Sequence, residues 1–221
     1  MLLAAAVLVL AGCDDETQFV PGPGPSKVRV DTPELVALKA ETGMEDCVPG
    51  PGGGALPALT LTCLGGGTPV DLSSLKGPMV LSLWFAGCDP CTEEMPALQA
   101  FHEHHGDRVP ILGVDFQDQY PGSALQTAQE LGATYPSVAD PGGDLQEFDE
   151  FAKLPGLPAM YFLDADGGIA YVEFGGLDSE QQIVDLVREH LGVDLTSPPS
   201  SSAPPLRSSD EQPVGDPGDA L

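Results

Sequence analysis

The stretch MVLSLWFAGCDPCTEEMPAL, residues 79–98, decides the fold. Residues 79–85 are apolar apart from Ser82, the pattern of a strand buried on both faces. Cys88, Asp89, Pro90 and Cys91 follow at once, and Pro90 suits the first turn of a helix, where its missing N–H costs nothing. Met95, Leu98 and Phe101 recur at helical spacing, so this helix is expected to run to about His104, kinked at Pro96. A strand ending just before C-x-x-C and a helix starting inside it put Cys88 at a helix N-terminus. Unpaired N–H groups and the helix dipole favour a thiolate there. The thiolate is the form that attacks a disulfide, and Cys91, one turn along, is near enough to release a mixed disulfide formed on Cys88. Asp89 works against this by adding negative charge beside the sulfur.

Working outward, Thr32-Pro33-Glu34 caps a helix that Gly43 ends. LTLTCL (59–64) and VPILGVDF (109–116) read as strands, with SALQTAQELG (123–132) a helix stopped by Gly132. A short SVAD segment (137–140) and a helix over 144–151 are expected next. AMYFLD (159–164) and GIAYVEF (168–174) form a hairpin, and DSEQQIVDLVREHLG (178–192) is an amphipathic closing helix. This order implies an α/β fold with a central mixed β-sheet flanked by helices, and Trp84 belongs to its core.

Asp and Glu outnumber Lys and Arg by 34 to 8 in 221 residues, a formal charge of −26 that would repel nucleic acid. No nucleic-acid partner is expected, and the acidic residues read as a solvated surface. The opening MLLAAAVLVLAGC is too short an apolar run to span a bilayer and reads as a targeting segment, although no positive residue precedes it. Its LAGC ending, residues 10–13, resembles the bacterial lipoprotein box. That implies a signal peptide over 1–12, lipidation of Cys13 and attachment to an extracytoplasmic membrane surface. Residues 13–31 then form a tether, 32–195 one folded domain, and 196–221, rich in Ser, Pro, Asp and Gly, a disordered tail. Cys47 and Cys63 flank a glycine-rich loop and are expected to form a structural disulfide, in keeping with an oxidising compartment.

SLWFAGCDPCTEEMPAL, then VPILGVDFQD, TYPSVADPGGDL and LPGLPAMYFLDADGGI, together resemble the TlpA-like and ResA-like extracytoplasmic thiol-disulfide oxidoreductases of the thioredoxin superfamily. The resemblance covers about 57–191. It implies a thioredoxin-like fold and exchange with protein thiols and disulfides, with an upstream redox donor and no cofactor or metal. It also implies that Cys88 is the nucleophile and Cys91 the resolving cysteine, with a role for each in cytochrome c maturation or envelope redox homeostasis. Glu94 matches a helix glutamate that tunes the cysteines and handles protons, and Pro158 matches a cis-proline loop facing them. One position departs from the pattern: the family has Trp before the first cysteine, and this chain has Gly87.

Other uses of the pair fit less well. Zinc needs ligands that converge as close pairs, and Cys47 and Cys63 are fifteen residues apart by intervening count. A Sco-like copper protein separates its cysteines by three residues and adds a downstream histidine, whereas this chain has none from Gly106 to Glu189. Peroxiredoxin-like peroxidases carry Pro-x-x-x-Thr/Ser-x-x-Cys, and WFAG precedes Cys88 here. The histidines of FHEHHGD, 101–107, are expected to be solvated at a helix end. Asp164-Ala165-Asp166-Gly167 reads as a turn rather than a calcium loop.

Overall fold

A computed structural model describes residues 26–196. The expectations for 1–12, for Cys13, for the tether before residue 26 and for the tail after 196 lie outside the described residues. α1 is Pro33–Thr42, followed by β1 Thr60–Cys63 and β2 Val70–Asp71. β3 Met79–Trp84, α2 Asp89–His105, β4 Ile111–Phe116, α3 Pro121–Leu131 and β5 Ser137–Asp140 come next. β6 Ala159–Leu163, β7 Ile169–Phe174 and α4 Glu180–Leu186 complete the fold.

The strands make one mixed sheet in the order β2-β1-β5-β4-β3-β6-β7. β3 pairs in parallel with β4 and antiparallel with β6, and all six of its residues are buried. Val80 and Trp84 face the layer that holds α2, α3 and α4, while Leu81 and Leu83 face the other side. That second layer carries no long helix. The helix expected over 144–151 is a four-residue 3-10 turn, Asp144–Glu147, and the chain is already extended at Phe148. Leu145, Phe148 and Phe151 recur every three residues, and the amides of Phe148 and Phe151 each bond back three residues. This spacing suits successive tight turns rather than an α-helix of 3.6 residues per turn. Leu145 and Phe151 are buried in that form and close the second layer.

Local capping explains the helix ends. Thr32 caps α1, with Pro33 in its first turn and Gly43 left-handed after it at φ 74°. α2 continues through Pro96 without a break, and α3 starts two residues earlier than expected, at Pro121. Ser179 and Gln182 form a capping box for α4, which passes into a π-helical segment, Val187–Leu191. Asp164 closes the β6–β7 hairpin by accepting the amides of Asp166 and Gly168 at 2.9 Å each. The Gly77–Pro78 and Leu157–Pro158 bonds are cis.

Cys47 and Cys63 are bonded, as expected, and both are buried. Beside them lies a buried lysine, Lys39, that no sequence pattern marks. Lys39 Nζ donates to Asp46 Oδ1 at 2.8 Å, to the Gly66 carbonyl at 3.1 Å and to Cys63 Sγ at 3.4 Å. Bridge and lysine fasten α1 and the loop after it to β1. Two of the three histidines over 101–107 differ from the expected solvated state. His102 is largely buried and pairs with Glu45 at 3.1 Å, and His105, also shielded, shares Glu180 with the exposed His104.

Two stability outcomes follow from this packing. A Cβ at Gly113 would press on Ser137 Oγ and lie 3.0 Å from Trp84 Nε1, so Gly113→Ala is expected to cost about 1–3 kcal/mol in urea unfolding. Replacing Cys47 and Cys63 together by Ala should cost about 3 kcal/mol in the same assay, set by the 16-residue separation that the bridge closes.

Candidate functional site

β3 ends at Trp84, and four residues later Cys88 caps α2. Cys88 has extended backbone angles, and its Sγ accepts the Cys91 amide at 3.2 Å. The sulfur therefore occupies the capping position of a 17-residue helix, where backbone donors and dipole stabilise negative charge. Cys88 and Cys91 are joined in a disulfide, with Cα atoms 5.2 Å apart. Cys88 is 7% exposed and Cys91 wholly buried, so only the first sulfur has a route to a partner.

Pro158 immediately precedes β6, whose Ala159 pairs with Leu83 near the end of β3. Register thus brings the cis Leu157–Pro158 peptide to the same end of the sheet as the cysteines. Phe85 occupies the space that a side chain at position 87 would need, because a Cβ on Gly87 would lie 2.9 Å from its ring. The aromatic ring beside position 87 is therefore that of Phe85.

Glu94 follows Cys91 by less than one turn and is 1% exposed. Its Oε2 accepts the Leu177 amide at 3.3 Å, from the loop between β7 and α4, while Oε1 has no partner. Burial raises its pKa to about 8, against the opposing pull of the Leu177 amide and the nearby Ser82 hydroxyl. Tyr135 is fully buried beneath the same helix, and its hydroxyl is held well above its ordinary pKa by burial first and by Glu94 second. Ser82 Oγ, Trp84 Nε1, Tyr135 OH and Ser137 Oγ are likewise buried without partners. The layer below the cysteines is therefore polar at several points, where the layer on the other face is apolar.

A second acid approaches from the strand side. Asp118, just past β4, accepts the Ala86 amide at 3.2 Å, two residues before Cys88. Sequence reasoning passed over Asp115, Asp118, Ser82 and Tyr135. The available signal was a polar residue inside an otherwise apolar strand, as at Ser82 and Asp115. Cys88, Cys91, Glu94 and Pro158 converge, whereas the Cys47–Cys63 bridge lies towards the β1 side. Among the described residues no three His, Cys, Asp or Glu side chains gather to hold a metal. A cleft of about 590 Å³, lined by Glu45, Met79, His102, Asp107 and Ile111 among others, opens at the opposite end of β3 and β4.

A model of the AhpC/TSA family matches residues 53–172, more than half of the chain. The chain is 28% identical over 153 residues to protein DipZ of Mycobacterium tuberculosis, covering 64% of this chain and 21% of DipZ. It thus spans about a fifth of the length of that relative. It is 30% identical over 113 residues to the thiol-disulfide oxidoreductase ResA of Oceanobacillus iheyensis, covering 49% of this chain and 55% of ResA. Among solved structures it is similar to the thioredoxin domain of a thiol-disulfide oxidoreductase from Bacteroides vulgatus. There the TM-score is 0.51 at 27% identity, over 62% of this chain and 97% of that one. A thioredoxin-like sheet with its helices, the family match and these relatives agree, and the chain belongs to the AhpC/TSA family, on the TlpA- and ResA-like side of the thioredoxin superfamily.

Proposed function

We propose that the protein exchanges disulfides with protein substrates through Cys88 and Cys91. The observation that carries this reading is the Cys88–Cys91 bridge at a strand-to-helix junction, one sulfur reachable and the other buried beside a carboxyl group of raised pKa. In the reduced protein the Cys88 thiolate attacks a substrate disulfide, and the first substrate sulfur leaves as a thiolate that takes a proton from solvent. Glu94, as carboxylate, accepts the Cys91 proton. The Cys91 thiolate then attacks Cys88 Sγ, re-forms the internal bridge and releases the second substrate sulfur. An external dithiol donor returns the pair to its reduced state. A pKa near 8 suits Glu94 to both halves of this cycle, because each protonation state is populated near neutral pH. Pro158 lies where an extended substrate chain would pass the cysteines.

The same reading places the domain outside the cytoplasm, held through Cys13 by lipid. The lipoprotein-like LAGC and the buried Cys47–Cys63 bridge support that location. Resemblance to the TlpA- and ResA-like enzymes extends the substrates to apocytochromes c or the proteins that mature them. A peroxidase is the weaker reading within the AhpC/TSA family, because the third residue before Cys88 is Phe85 and not a hydroxyl side chain.

Mixed disulfides test the order of attack. Cys91→Ser should accumulate a covalent adduct on Cys88 when the reduced protein meets a disulfide-bonded substrate, and Cys88→Ser should form none; adducts on Cys91 in the latter reverse the roles. Glu94→Gln should slow exchange at neutral pH by about tenfold or more. It should also flatten the pH dependence of stability. Burial raises the folded pKa of Glu94 from 4.5 to about 8, so its contribution is intact below about pH 4.5 and lost as pH rises through about 8. Urea midpoints of the oxidised wild type should fall across that window by an amount worth roughly 4 kcal/mol more than those of Glu94→Gln.

A further inference from the structure

β4 carries an acid where a buried strand calls for an apolar side chain. Asp115 is 1% exposed, stands opposite Trp84 in the β3–β4 register, and has no donor to either carboxylate oxygen. A buried carboxylate without a donor is unfavourable. The neighbour it does have is another acid, since the carboxylate of buried Asp118 stands within hydrogen-bonding range. One proton between two such groups satisfies both: the protonated oxygen donates and the other accepts.

The backbone between them is bent to allow the contact. Gln117, at φ 55°, is the one non-glycine residue with a positive φ among the described residues. Such a conformation persists only where its surroundings hold it. Here the Gln117 amide donates to the Asp140 carbonyl at 2.8 Å, and Nε2 donates to Gln146 Oε1 at 2.9 Å. The turn leaves Asp118 bonded on both oxygens: Oδ2 accepts the Ala86 amide at 3.2 Å and Oδ1 the Tyr120 amide at 2.7 Å. Ala86 lies in the segment 85–87, whose Phe85 carbonyl accepts the Cys88 amide at 3.1 Å.

We propose that Asp115 and Asp118 are positioning residues that share one proton, and that this pair, through the Ala86 amide, holds segment 85–87 where it sets Cys88 at the start of α2. While the proton stays, Asp118 is an anion with donors from Ala86, Tyr120 and Asp115. When the proton leaves to solvent, two anions face each other and Asp118 is driven off the Ala86 amide. Burial first, and Asp118 second, keep the Asp115 proton well above the usual carboxylate range. The other groups near this corner leave the pair alone. Trp84 on β3 is neutral, and the bridged cysteines carry no charge. Asp140, one residue past the β5 partner of Asp115, turns its carboxylate to the amides of Asp144 and Leu145. Glu94 on α2 titrates separately, near about 8. None of the described ion pairs includes Asp115 or Asp118.

The test is a titration of the oxidised protein, labelled with 15N and 13C, from about pH 5 to about pH 10. The Ala86 amide and the Asp115 carboxyl carbon should move in one common step, well above the ordinary carboxylate range. Asp115→Asn should abolish the Ala86 step. The effect on exchange rests on the proposed role of Cys88: the wild-type rate should show a fall above that step which Asp115→Asn lacks, with rates at neutral pH within about threefold. An Asp115 carboxyl titrating in the ordinary range, or an Ala86 step unchanged in Asp115→Asn, overturns the proposal; the wild-type titration alone decides it if the variant does not fold. A wild type that exchanges no thiols would sink the functional reading instead, and the titration would still stand or fall on its own.

Discussion

β3 is the strand on which the site depends. It has hydrogen-bonded neighbours on both edges and buried side chains on both faces, so it has no freedom to slide. Pairing fixes Asp115 beside Trp84 and Ala159 beside Leu83. Three separate segments, 85–88, 116–118 and 157–158, therefore leave the sheet together at one end. The cysteines, the acid that accepts the Ala86 amide and the cis-proline come from distant parts of the chain, and one register aligns them. Gly113 belongs to the same constraint, because only a residue without a side chain leaves room for the Trp84 indole and the Ser137 hydroxyl across neighbouring strands.

The two layers of the core do different work. On the face away from α2 the packing is apolar, from Leu61 and Leu81 to Phe151 and Tyr161. The face under α2 contains Glu94 and Asp115 together with the unpartnered polar atoms of Ser82, Trp84, Tyr135 and Ser137. Apolar residues of similar volume would give a more stable protein at those positions, because buried acids are costly even when neutral. The polar groups are concentrated below the disulfide, and the opposite layer supplies the stability that offsets them. Carboxyls reach the cysteine loop from two directions, Glu94 from inside the helix and Asp118 from beyond the strand.

What could be read from the sequence was what local rules decide. A continuous apolar run, a proline in a first turn and glycines after helices located β3, α1, α2 and α3 and put Cys88 at a helix start. The resemblance carried Glu94 and Pro158. The 144–151 segment was misread because Leu145, Phe148 and Phe151 look like one side of a helix until the three-residue spacing is seen to satisfy short turns instead. Glu94 could not be known as buried, since its cover is Leu177, more than eighty residues on. Lys39 and His102 were hidden for the same reason: their partners, Gly66 and Glu45, are distant in the chain. Asp115 and Asp118 look like ordinary strand-end polar residues, and their burial comes from packing across the sheet that local rules do not show.

Phe85 sets its ring beside position 87, and it does so from a different footing. Its ring is packed against the same hydrophobic layer that contains Trp84, Cys88 and Cys91. A side chain at 87 would stand on the surface, but in this chain it would press on the Phe85 ring. Here the ring beside position 87 is half-buried and packed against the core. A change at Phe85 therefore disturbs the packing under α2 and the surface before Cys88 together.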